Sequence, residues 1–120
     1  DDILHGVSSG YDTFDCVSPT RIARHGIMMS KLSSKGINLN NSKFKDDHSS
    51  IDEGCELQEI NKFSKSYIHH LFKANEMLGM TILSIYNIWF MNKFFEEIRS
   101  SINEDRFEEY KNKILSNLVE

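Results

Sequence analysis

The stretch Gly10-Tyr11-Asp12-Thr13-Phe14-Asp15-Cys16-Val17-Ser18-Pro19-Thr20-Arg21-Ile22-Ala23-Arg24-His25-Gly26 decides how the rest of the chain is read. Its run Phe14-Asp15-Cys16-Val17 reads as a short buried strand. Ser18-Pro19 stops that strand, because the residue before proline is held extended and proline donates no ladder hydrogen bond. Upstream, residues 1–9 (DDILHGVSS) read as one short helix. Asp1 and Asp2 are favourable near its positive end, and Gly10 closes it. The first fifteen residues therefore look like the last helix-to-strand unit of something larger.

Downstream of this stretch the punctuation changes. The single proline and five of the six glycines lie before residue 60. Turns and strands are expected there, and nearly pure helix beyond. Residues 20–54 read as irregular, with Gly26–Ser30 and Gly36–Leu39 able to pair as a hairpin across Lys31–Lys35 and a polar loop over Asp46–Gly54. From Asn61 the period is helical. Phe63, Tyr67, His70 and Leu71 share one face of a helix to about Leu78, where Gly79 interrupts or bends the pattern. Ile82, Ile85, Trp89, Met91, Phe95, Ile98 and Ile102 follow at 3–4 spacing on a long second helix. Ser101 or Asn103 can cap a third. In it Phe107, Tyr110 and Ile114 face inward, and Glu108, Glu109, Lys111 and Lys113 face water. Helices packed on a small β portion make the α+β class.

Composition bounds the rest. With 120 residues, 39% hydrophobic and 27% charged, the chain is one domain's worth and too apolar for a disordered segment. It is too short for a whole (β/α)8 barrel of roughly 250 residues. No run reaches the ~18 apolar residues of a membrane span, and the Asp-Asp start shows no charged-then-apolar leader. That start is the kind a trimmed chain or a fragment has. The formal net charge is −4, all of it in the first half. Any nucleic-acid contact must therefore come from local patches. Cys16 and Cys55 make no disulfide framework, which fits a reducing, cytoplasmic setting.

Asp15 is the most informative residue. A carboxylate among buried neighbours costs several kcal/mol unless it is paired or hydrogen-bonded. The end of a strand is also where α/β barrels place catalytic groups. The plainer reading is an Asp that caps the next turn through Thr20 or Arg21. Arg21 and Arg24, three apart on a loop, suit successive phosphates or a base edge. The plainer reading for them is a solvated loop with one Arg paired to Asp12 or Asp15.

Gly10 to Gly26 resembles the G-x-D-x-F-D-C-V-x-P-T-R-x-A-R-x-G segment of the tRNA-guanine transglycosylases, or queuine tRNA-ribosyltransferases. Asn38–Asp47 (NLNNSKFKDD), Ile51-Asp52-Glu53-Gly54-Cys55, Phe63–Ala74 (FSKSYIHHLFKA) and Glu76-Met77-Leu78-Gly79 resemble further segments of that family. The resemblance covers essentially the whole chain, but only the C-terminal third of the family. It implies an α+β fragment: the last helix-strand unit of a (β/α)8 barrel over residues 1–25, the β-hairpin and loop of a zinc-type subdomain over 26–60, and closing helices over 61–120. It implies an enzyme that exchanges guanine at the anticodon wobble position of tRNA for queuine or its precursor base. Asp15 matches the nucleophile that attacks C1′ of the ribose, as a carboxylate does in retaining glycosidases. Thr20, Arg21, Ile22, Ala23 and Arg24 match the segment that recognises the RNA.

The match departs from the family at two places. The family's zinc site reads C-x-C-x-x-C, with a later His in H-N. Cys55 keeps the first position, while Leu57, Ile60 and Tyr86 stand at the other three. Leucine and isoleucine cannot ligate, and structural zinc takes four N/S ligands. No zinc or other cofactor is expected, and the zinc-type subdomain is degenerate, with apolar side chains plugging the metal's volume. The alternative is a site rebuilt from Cys55 with His48 or His70. The family's base pocket and its other catalytic groups lie on earlier strands absent from these residues, and such groups supply orientation and electrostatic stabilisation. The chain is thus expected to be inactive alone. Its partners are tRNA, a missing barrel segment on another chain if the enzyme is split, and a second copy through Phe63, Tyr67 and His70. The alternative for that stripe is packing on Ile82 and Ile85. A degenerate, non-catalytic RNA- or partner-binding module is the alternative function.

Overall fold

The structure is a computed structural model and describes residues 1–118. In chain order it contains α1 (Asp2–Ser8), α2 (Ser18–Ala23), β1 (Ile27–Ser30), β2 (Ser33–Asn38), a 3-10 turn (Ser42–Phe44), α3 (Gln58–Asn61), α4 (Lys65–Lys73), α5 (Met77–Asn103) and α6 (Phe107–Asn117). The result is a mostly helical α+β domain with one two-stranded sheet.

The hairpin follows from its sequence. Ile27 pairs with Asn38, Met28 with Ile37 and Ser30 with Ser33, antiparallel. The turn is tighter than the Lys31–Lys35 loop expected, reducing to Lys31-Leu32. The spare residues instead enter β2 as an irregularity opposite Met28–Ser30. Gly36 sits in it at φ +72°, where an added Cβ would lie 2.6 Å from the Met28 carbonyl oxygen. Only glycine fits there.

Helix α5 is the spine, and α2, β1, α3, α4 and α6 all pack on it. Leu39, Ile68, Ile82, Leu83 and Tyr86 form the centre of the core. On α4 the buried side is Ile68, His69 and Leu71, and the His69 Nδ1 lies 2.7 Å from the Leu39 carbonyl oxygen. Ser64 caps α4, its hydroxyl accepting from the Tyr67 amide at 3.1 Å.

Several expectations are corrected. The buried strand over Phe14–Val17 does not form; residues 11–17 are exposed and carry no regular structure. A strand exists by pairing, and Asp12 to Cys16 neither give nor take a backbone–backbone hydrogen bond. The irregular stretch after Ser18 begins with a helix, α2, with Pro19 in its first turn. That is the one helical place where proline's missing donor costs nothing. The helix expected from Asn61 to Leu78 is α3 and α4, and it ends at Asn75, which takes φ 56°. Gly79 lies inside the first turn of α5, buried against Leu71 and Phe72. Ile85 and Ile102 face outward. Ser101 and Asn103 belong to α5, and α6 starts after Arg106. Tyr67 and His70 are exposed, so that stripe does not pack on Ile82 and Ile85; Phe63 alone leans on the core.

Candidate functional site

The segment from Asp15 to Arg24 consists of an open loop followed by a firmly held helix. Asp15 is exposed, and it makes no hydrogen bond or ion pair among the described residues. The desolvation argument for it is therefore corrected: without neighbouring strands the carboxylate stays in water. It does not cap the next turn either. The residue before α2 is Val17, whose carbonyl accepts from the Arg21 amide at 3.0 Å, and no side chain among the described residues caps the helix. The Cys16 sulfur accepts from the Ser18 amide at 3.2 Å, which turns the chain into α2.

Arg21 and Arg24 are exposed, and neither enters an ion pair with Asp12 or Asp15. Thr20 and Ile22 are half-buried, and Ala23 is fully buried in the core. The surface of this helix is thus two guanidinium groups, with Ala23 as its inward anchor.

Two asparagines hold that helix at its ends. Asn87 on α5 is 0% exposed. Its Nδ2 donates to the Pro19 and Ile27 carbonyl oxygens, both at 3.0 Å, and its Oδ1 accepts from the Met29 amide at 2.8 Å. At the other end the Asn40 side chain donates to the His25 carbonyl oxygen at 2.9 Å. Gly26, at φ +76°, leaves room for it, since a Cβ there would strike the Asn40 amide. All three polar groups of the buried Asn87 amide are used, which makes the anchor specific. The sequence reading missed both residues. The available signal for Asn87 was a lone amide within an otherwise apolar stretch of helix.

The four positions where the resemblance implies zinc ligands do come together, in the apolar core. Cys55, Ile60 and Tyr86 are buried in one cluster, and Leu57 packs against it. The Tyr86 hydroxyl donates to Asp52 Oδ2 at 2.9 Å, with the Met29 carbonyl oxygen at 3.4 Å. Burial, and secondarily the Asp52 charge, pushes the Tyr86 phenol above its usual range. Burial likewise pushes the Cys55 thiol up. The set therefore offers one thiol in its protonated form, a protonated phenol and two hydrocarbon side chains. That donor chemistry does not fit zinc. Nor are His48 and His70 gathered with Cys55: both are exposed, and no group of three or more His, Cys, Asp or Glu is placed to hold a metal among the described residues.

The fold and the segment together define a small α+β domain that presents an open carboxylate beside a two-arginine helix. Residues 1–120 match the family described as queuine tRNA-ribosyltransferase, and the chain belongs to that family. It is 49% identical over 113 residues to the queuine tRNA-ribosyltransferase of Clostridium acetobutylicum, covering 94% of this chain and 30% of that protein. It is 47% identical over 115 residues to the Clostridium tetani protein of the same name, covering 96% and 30%. A third relative, from Dictyoglomus turgidum, is 42% identical over 116 residues, covering 97% and 29%. The chain thus spans less than a third of the length of these curated relatives. No helix among the described residues is long and apolar enough to cross a membrane.

Proposed function

We propose that this chain is the C-terminal part of a cytoplasmic tRNA-guanine transglycosylase, supplying the nucleophile Asp15 and the RNA-reading helix α2, and that it is inactive until the remainder of the barrel is supplied. The observation that carries this reading is the combination at residues 15–24. Among the described residues an ionisable carboxylate and two guanidinium groups make no side-chain hydrogen bond or ion pair, on a segment that Asn87 and Asn40 anchor from behind. In the proposed reaction Arg21 and Arg24 hold the RNA backbone around the wobble nucleotide. An Asp15 oxygen attacks C1′ of the ribose as the bond from C1′ to guanine breaks. The departing guanine keeps the electron pair and takes a proton from a group outside this chain. The incoming base then attacks C1′ through a ring nitrogen whose proton returns to that same outside group, and the bond from C1′ to the Asp15 oxygen breaks with its electron pair on Asp15, which is released as a carboxylate. Covalent trapping splits one difficult displacement into two easier ones. Thr20, Ile22 and Ala23 shape and seat the helix beneath the arginines.

The family's zinc takes no part in this proposal. The packing of Cys55, Leu57, Ile60 and Tyr86 supports a subdomain that folds without metal. The same packing is the feature that favours the second reading, a non-catalytic RNA- or partner-binding module. Labelled guanine exchange into tRNA separates them. The chain alone should show none. Mixed with the separately produced N-terminal portion of the Clostridium acetobutylicum relative, it should exchange, and Asp15→Asn should abolish that exchange. Activity retained by Asp15→Asn would refute the nucleophile, and tRNA binding without exchange would favour the module.

A further inference from the structure

Of the chain's five histidines, four are exposed and His69 alone is buried. A polar group inside a core holds its place by hydrogen bonding. The His69 Nδ1 lies 2.7 Å from the Leu39 carbonyl oxygen, thirty positions away in sequence. A carbonyl oxygen only accepts, so Nδ1 carries the proton and donates. The bond is directional, and it fixes where the Leu39 backbone lies against α4.

Leu39 is in turn half of a clamp on the end of α2. Its amide donates to the Gly26 carbonyl oxygen at 2.8 Å. The next residue, Asn40, donates from Nδ2 to the His25 carbonyl oxygen at 2.9 Å. The two carbonyls that directly follow Arg24 are therefore both held by residues 39 and 40. Within the last turn of α2 the Arg24 amide donates to the Thr20 carbonyl at 3.2 Å, and the Gly26 amide to the Ala23 carbonyl at 3.0 Å. A displaced clamp thus passes to Arg24 through a short, hydrogen-bonded stretch of backbone. Helix α4 meets the same spot a second time. Phe72 follows His69 by three positions, so it shares that face of the helix, and its ring would lie 3.5 Å from a Cβ on Gly26.

We propose that His69 is a positioning residue for Arg24. Its Nδ1–H sets Leu39 and Asn40, and these set the C-terminal end of α2. This rests on the reading that α2 holds the RNA around the wobble nucleotide, and it names what keeps one of its two arginines in register. A guanidinium grips a phosphate productively only from a fixed position. The ligand whose binding depends on His69 is therefore an RNA phosphate, although the imidazole never touches it.

The test compares His69→Leu, which removes the donor at similar volume, with His69→Asn, whose side-chain amide places an N–H where Nδ1 stood. Fluorescence anisotropy measures tRNA binding by this chain and by its mixture with the N-terminal portion of the Clostridium acetobutylicum relative. His69→Leu should weaken binding on the order of 10-fold and lower its salt dependence by about one phosphate contact. Arg24→Ala should do the same. The double variant should bind no more weakly than Arg24→Ala alone, since His69 acts only through that arginine. His69→Asn should bind like the parent. Amide hydrogen exchange at Leu39 and Gly26 should quicken roughly 10-fold in His69→Leu, with the α6 amides unchanged. Should His69→Leu fail to fold, Asn40→Ala breaks the other half of the clamp and should give the same pattern. Full-strength binding by His69→Leu, losses that multiply in the double variant, an equal loss in His69→Asn, or unaltered amide exchange each overturns the assignment and leaves the reading of α2 standing. Arg24→Ala binding tRNA as tightly as the parent refutes that reading itself, and the assignment falls with it.

Discussion

Asn87→Ala should cost this chain about 3–5 kcal/mol of folding stability. The side chain is fully buried and makes three hydrogen bonds at 2.8–3.0 Å, to the Met29 amide and to the Pro19 and Ile27 carbonyls. Truncation leaves one donor and two acceptors without partners. Each unsatisfied buried group costs ~1–3 kcal/mol. Water entering the vacated volume recovers part of that loss, since the acceptors lie on elements that are only half-buried. Against a total of about 5–15 kcal/mol for a domain, the variant should lose a large share of its stability and melt at a markedly lower urea concentration. Urea melts followed by circular dichroism measure this directly. Asn87→Asp provides the contrast. It keeps the acceptor for Met29 but turns a carboxylate toward two carbonyl oxygens. Its carboxyl pKa should rise in the folded state, so the variant should regain stability as pH falls and the protonated group donates one bond. A loss below about 1 kcal/mol in Asn87→Ala would refute the claim that this amide holds α2 to the spine.

Elemental analysis of the chain, purified without chelators, should find no stoichiometric zinc, and chelators should leave its melt unchanged; about one zinc per chain would overturn the metal-free core. Tyr86→Phe should lose about 1–2 kcal/mol through the hydroxyl given to Asp52; an unchanged thermal melt would show that bond to be idle. Burial alone would raise the Glu97 carboxyl, but hydrogen bonds from Lys31 and Tyr110 outweigh it and hold the group below its usual value. Its stabilising contribution is therefore present above the unfolded pKa of about 4.3 and is lost as pH falls through the lowered value. Glu97→Gln should flatten the acid limb of the stability profile at a cost of about 1 kcal/mol, solvent screening keeping the figure small. Tyr67→Ala should leave helicity intact, lose only about 1 kcal/mol with its stacking on Phe63, and weaken any self-association seen by sedimentation; a collapsed melting temperature would place Tyr67 in the core instead.

The parts legible in the sequence were those specified by local chemistry. Gly26 opens the hairpin and Gly36 falls in its second strand, and the long helix announces itself by the 3–4 spacing from Ile82 onward, although its start at Met77, ahead of Gly79, was not read. What failed was whatever depends on a neighbour. Phe14–Val17 has strand composition, but composition cannot supply the second strand that makes a ladder. Ile85 and Ile102 share the 3–4 spacing of Ile82 and Ile98 yet are exposed, because α5 is apolar on both sides and its spacing has no unique inner stripe. Helix α2 was missed although Pro19 marks a helix's first turn as readily as a strand's end. At the candidate site Asp15, Arg21 and Arg24 were identifiable by residue type and resemblance. The residues that anchor them, Asn40 and Asn87, lie 16 and 63 positions beyond Arg24, and only the folded arrangement brings them to α2.

The packing of Cys55, Leu57, Ile60 and Tyr86 also restricts how this sequence can change. Zinc rewards a site only when all four donors are present. Starting from this core, three substitutions would have to arrive together. Leu57→Cys or Ile60→Cys alone shrinks a packed side chain and leaves a void, which destabilises with no compensating metal. Tyr86→His alone gives up the bond to Asp52. Every single step toward a metal site therefore leads downhill in stability, while exchanges among similar hydrocarbon side chains at 57 and 60 are nearly neutral. The core acts as a ratchet: sequence drift at these positions runs among apolar alternatives, and a route to four donors must cross a stability valley.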